Sequence, residues 1–145
     1  MKKIVFKFWI INFLISVALF FIYNMVIAAT KTVDGNLFEK LIQILELLLN
    51  MGFAFIYFIA MAISSFVLLL NLVEKIRNNF YLSLSTFLGI PLFCFILIIS
   101  NVLIDIRLHN FTILTTLAIF STIGLLLTTI QFLLFRKRIN KIQVQ

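Results

Sequence analysis

The run FEKLIQILELLLNMGFAF, residues 38–55, holds one embedded acid, Glu46. A carboxylate at membrane depth is read first as an ion, proton or substrate site, because a charge in hydrocarbon is costly. Asp34 and Asp105 suit a different chemistry. Two carboxyls brought together can share one proton, as in an aspartyl dyad. His109 and Cys94 are each the sole residue of their type. That leaves no paired-histidine haem site, no internal disulfide and no thiolate cluster. The sequence carries no Ser–His–Asp set, no phosphate-binding glycine loop and no HExxH motif. No catalytic, cofactor-binding or metal-ligating residue is therefore assigned, and no enzyme is expected.

These residues are positioned by long apolar segments. The chain has 145 residues, of which 63% are hydrophobic and only 12% charged. A soluble domain has about 25% charged residues. The mean hydropathy of +1.20 points to a lipid solvent. Four apolar runs stand out, at residues 8–30, 48–73, 80–104 and 110–135. Each exceeds the ~20 residues that cross a hydrocarbon core. The links between them are short, which favours antiparallel neighbours. The expected fold is an all-α integral membrane protein, a four-helix antiparallel up-down bundle forming a single transmembrane domain. Helix 2 is expected to start near residue 36 and to run to about Arg77.

The net charge of +7 could suggest nucleic acid. The charges instead collect at the ends of apolar runs, so no nucleic-acid partner is expected. Lys2, Lys3, Lys7, Lys75, Arg77, Arg136, Lys137, Arg138 and Lys141 fall on one side, and Lys31, Lys40 and Arg107 on the other. Basic residues gather on the cytoplasmic side. Both termini are expected there, with the chain multi-pass in the cell (inner) membrane. The Phe, Ile, Asn and Lys usage suggests a bacterial source. The first run has a basic start and ends in Ala28–Ala29, like a signal peptide. Its length favours an uncleaved first span.

Polar residues inside the runs follow a seven-residue spacing. Gln43, Asn50, Tyr57, Ser64 and Asn71 form one row in the second, with Glu39 and Glu46 one helical step away. Trp9, Ser16, Tyr23 and Thr30 form one in the first, with Asn12 beside it, and Thr115, Thr122 and Thr129 form one in the fourth, where the small residues Ala118, Ser121, Gly124 and Thr128 are expected to let helix backbones approach closely. Residues so spaced share a helix face. These faces are expected to pack between helices; the alternatives are a hydrated path or an oligomer interface. In the third run, Pro91 is expected to kink the helix, with Thr86 or a neighbouring helix satisfying the freed carbonyl.

Counting ~20 residues back from Asn71 places Glu46 roughly 5–9 Å beyond the hydrocarbon. Its expected place is an outer polar rim shared with Asp34, Glu39, Asp105, Arg107 and His109. His109 is read there as a solvated link residue.

The segment SNVLIDIR, residues 100–107, is similar to one of the two aspartate segments of the lipoprotein signal peptidases. The second, expected at the start of span four, is missing, because RLHNFTILTT has no acid. Asp34 follows span one instead, so that family is not assigned. The small multidrug transporters also have four spans, but their membrane Glu lies in the first, which here has none. The expected function is that of a non-enzymatic membrane protein acting through helix-face contacts, with lipids and a membrane-protein partner or a second copy of itself. A complex accessory subunit, an immunity partner and a defence-associated membrane component all fit. The alternative is an oligomeric channel or small-solute transporter lined by the polar faces of spans 1, 2 and 4. A lesser alternative is an outer-face hydrolase using Asp34 and Asp105.

Overall fold

The structure, a computed structural model, describes residues 2–30, 35–107 and 113–143. Within them the chain is helical, with no strand. The elements are α1 (Lys2–Thr30), α2 (Leu37–Leu68), a 3-10 turn (Leu69–Leu72), α3 (Glu74–Asn78), α4 (Phe80–Arg107) and α5 (Ile113–Gln143). Four helical stretches are long and apolar enough to cross a membrane: Lys2–Thr30, Leu37–Leu72, Phe80–Ile104 and Leu114–Lys141.

Helix starts are set by short-range chemistry. Gly35 has φ 122°, a conformation that a side chain disfavours. Asn36 then caps α2 in an extended conformation. The Glu39 carboxylate reaches back to accept from the Asn36 N–H at 3.2 Å, the reciprocal half of a capping box. Asn79 opens α4 in the same spirit, its Oδ1 accepting from the N–H groups of Tyr81 and Leu82 at 3.0 and 3.2 Å.

The second helix differs from the unbroken run to Arg77 that its polar row suggests. It tightens after Leu68 and breaks at Val73, which is extended at φ −75° and ψ 123°. The cause lies in Asn71. Its Nδ2 donates to the Leu68 carbonyl at 3.0 Å, competing with the backbone for an acceptor in the last turn. Neither Gly nor Pro is involved. Pro91, in contrast, sits buried inside the helical run of α4. The Thr86 hydroxyl does not serve the carbonyl freed by Pro91; it donates to Ser83 O at 2.7 Å.

The helices pack in a ring, α1 against α2, α2 against α4, α4 against α5 and α5 against α1. Contacts across the ring are few. On α1 and α5, Phe8 meets Phe135 and Tyr23 meets Phe120, both edge-on with centroids 5.4 Å apart. On α4 and α5, Phe87 packs edge-on against Phe132 and tilted against Phe135. Two apolar clusters result. Val5, Phe8, Leu68, Phe87, Phe132, Phe135 and Ile139 fill the end that carries the basic residues. Tyr23, Ile27, Ala54 and Leu117 fill the other. Only 11% of the apolar stretch of α4 is buried, against 39% for α5. Helix α5 is therefore the most enclosed, while α4 turns most of its surface outward.

Candidate functional site

The polar groups between the helices separate into those that are bonded and those that are not. Asn71 is fully engaged. Its Nδ2 donates to Thr86 Oγ1 at 2.5 Å, and its Oδ1 accepts from the Ser83 hydroxyl at 2.7 Å. All three side chains are buried. They tie the 3-10 turn to α4. Ser83 was not singled out from the sequence, and Thr86 only as a partner for the carbonyl freed by Pro91, although their three-residue spacing on one helix face is the available signal.

Between α1 and α2, Asn12 Nδ2 donates to Ser65 Oγ at 3.4 Å. The Ser16 and Ser65 hydroxyls also donate backwards, to Asn12 O and Met61 O. The hydrogen bond is made by Ser65, which lies one residue beyond the spaced row. Ser64 is buried too, but its Oγ has no partner.

Asn50 and Gln131 are the sharper cases. Both are buried, and both side-chain amides lack any hydrogen-bond partner. The Phe8–Phe135 and Tyr23–Phe120 pairs set Gln131 of α5 level with Asn12 of α1, whose Oδ1 is also unpartnered. Gln131 lies outside every row that the sequence spacing picks out.

The fourth-span threonines lie elsewhere than the inner face. Thr115 and Thr122 are exposed and Thr129 is half-buried. The Thr122 and Thr129 hydroxyls donate to carbonyls one turn back, Ala118 O and Leu125 O, both at 2.8 Å. The inward groups of α5 are Ser121, Thr128 and Gln131, with Gly124. A Cβ at Gly124 would lie 3.0 Å from the Tyr57 hydroxyl, so glycine lets that ring cross towards α5.

Of the remaining candidates, Tyr23 is buried, while Tyr57, Gln43 and Glu46 are half-buried. Glu39 is exposed and caps α2. Asp34 and His109 lie outside the described residues, as do the side chains of Asp105 and Arg107, which end α4. Among the described residues no group of three or more His, Cys, Asp and Glu gathers in space.

A cavity of about 20 Å³ lies between Ser16, Leu19, Tyr23, Ala54, Tyr57 and Phe120. That is room for about one water. A wider groove of about 240 Å³ opens outward between α2 and α4, lined by Phe53, Ile56, Tyr57, Cys94, Ile98 and Asn101 among others. The inner groups are amides, hydroxyls and phenols. They can exchange hydrogen bonds with one another, with water or with a partner.

Neither family models nor comparisons with curated proteins and solved structures yield a match to this chain. The fold itself defines the class: an all-helical chain with four helices fit to cross a membrane, the architecture of a multi-pass membrane protein.

Proposed function

We propose that the chain is a non-enzymatic, multi-pass protein of the cell membrane that works by docking a helix face on another membrane protein. In this reading it is an antiparallel up-down bundle with both termini in the cytoplasm, an inner-membrane component of a bacterial cell. The opposed sequence order of the Phe8–Phe135 and Tyr23–Phe120 pairs supports the antiparallel arrangement. The basic residues at one end support the orientation.

The observation that carries the docking reading is the outer face of α4. Ser85 and Gly89, four residues apart, are both exposed, and a Cβ added at Gly89 meets nothing within 4 Å. Small residues at that spacing let a second helix backbone approach closely in lipid. Ser100 and Asn101 are exposed on the same helix. Polar side chains in spans normally face protein or water. An accessory subunit, an immunity partner and a defence-associated component all use such a face. The partner is another membrane protein or a second copy of this chain.

Gly89→Leu tests this directly, because the new side chain has room within the chain itself. The expected result is an unchanged or raised melting temperature in detergent, with loss of the co-purifying partner or of the oligomer mass. A variant that keeps both its assembly and its cellular phenotype removes α4 as the docking face.

A second reading, an oligomeric channel or small-solute transporter, is favoured by the unpartnered amides of Asn50 and Gln131. Ion or solute flux through liposomes holding the purified protein would support it. A monomer that leaves gradients intact would remove it.

A further inference from the structure

Arg77 is the one charged side chain buried among the described residues, at 8% exposure. Its guanidinium is poorly answered. Nη2 lies 3.6 Å from a carboxylate oxygen of Glu74, whose own side chain is exposed. Nε is buried with no hydrogen-bond partner. Nε and Nη2 form one edge of the guanidinium fork, the edge that takes two oxygens of a carboxylate or phosphate side by side. A contact that long, on an exposed acid, leaves the edge largely idle. A buried guanidinium with an idle donor is costly until an acceptor arrives.

The surroundings select an anion. Arg136 Nη1 donates to the Arg77 backbone carbonyl at 2.9 Å, which brings a second guanidinium to the backbone of the same residue. Arg136 also lies over the Phe80 ring, 5.5 Å from its centroid, and Arg138 over Phe8. Glu74 is the one acid on this basic end of the sequence. Arg77 follows the second apolar stretch and precedes α4, where two spans would meet the headgroup layer. A cluster of basic side chains where helices meet that level suits an acidic headgroup.

We propose that the Nε–Nη2 edge of Arg77, with Arg136 beside it, binds the phosphate of an anionic phospholipid, which takes the place of the Glu74 carboxylate. The full chain is reconstituted in nanodiscs of equimolar phosphatidylcholine and phosphatidylglycerol, extracted in mild detergent, and its retained lipid counted by native mass spectrometry. Phosphatidylglycerol should be enriched over phosphatidylcholine. Arg77→Lys keeps the charge but loses the fork, and should cut retention by about tenfold or more. Lys141→Gln removes a charge from the same end and should change it by less than about fivefold. Glu74→Gln, on an exposed side chain, should raise retention.

Equal losses in Arg77→Lys and Lys141→Gln would mean diffuse attraction and would overturn the site. Glu74→Gln without effect would overturn it too, whether or not Arg77→Lys folds. Inorganic phosphate that displaces the phosphatidylglycerol would assign the edge to a soluble ion and sink the lipid assignment.

Discussion

The Asn71 amide accepts from the Ser83 hydroxyl at 2.7 Å across the break that separates the second apolar helix from the third. With the bond to Thr86, whose hydroxyl donates to the Ser83 backbone carbonyl, it closes a ring of three buried polar residues. Asn71→Leu should therefore destabilise the bundle by about 1–3 kcal/mol, because it strands the buried Ser83 hydroxyl and removes both side-chain bonds to α4. Thr86→Val should cost nearer 0.6 kcal/mol, roughly the mean for one interhelical bond in lipid. Unfolding in mixed micelles, followed by circular dichroism, separates the two. Equal costs would mean that Asn71 does not organise the ring.

Gly124 and Gly52 should respond oppositely to a methyl group. A Cβ at Gly124 crowds Tyr57 Oη at 3.0 Å and reaches Leu19 and Met61, whereas one at Gly52 meets nothing within 4 Å. Gly124→Leu should cost about 1–3 kcal/mol through overpacking. Gly52→Ala should gain about 0.5–1 kcal/mol by removing backbone freedom from the unfolded helix. Tyr57→Phe should restore part of the loss in a Gly124→Ala background, since it deletes the oxygen nearest the new Cβ. The same micelle titration reads all three.

Asn50 should tolerate an apolar replacement better than its burial suggests. Both of its amide atoms lack partners, so Asn50→Leu removes an unmet polar group and should stabilise the isolated chain by about 1 kcal/mol. Leu48→Ala, on the exposed side of α2, should shift stability by less than about 0.5 kcal/mol. A loss at Asn50 would reveal a hydrogen bond in the working state. Retained stability with lost transport or partner binding would place that amide in function.

Orientation is open to single-cysteine labelling in a Cys94→Ala background. Lys75→Cys and Lys141→Cys should react with an impermeant maleimide only in inverted vesicles, and Asn36→Cys only in intact cells. The reverse pattern would invert the proposed topology.

The four apolar helices were legible because their length and composition alone answer to a ~30 Å core. The start of α2 was legible for a local reason, as Asn36 and Glu39 carry their own capping chemistry. The break at Val73 was not, because VEKI holds no breaker; the Asn71 amide that takes the Leu68 carbonyl is held by Ser83 and Thr86 of α4. The inward face of α5 was legible only in part, through the small residues Ala118, Ser121, Gly124 and Thr128. Thr115, Thr122 and Thr129 repeat every seven residues, and so do Ser121 and Thr128 one step round. Periodicity marks a face but does not say which of two polar faces turns inward. Gln131 belongs to no threonine row, and only the pairing of α1 with α5 sets it level with Asn12.

The ring at Asn71 also bears on how the chain is made. Its farthest bond joins residues 15 positions apart in sequence. No part of α5 contributes to it. Synthesis runs from the N-terminus, so the second and third apolar helices can clasp as a hairpin while the basic C-terminal segment is still inside the ribosome. The clasp hides an amide and two hydroxyls from lipid at the earliest stage at which both helices exist. Helix α5, with its Phe132 and Phe135, then closes on a pair already fastened at that end.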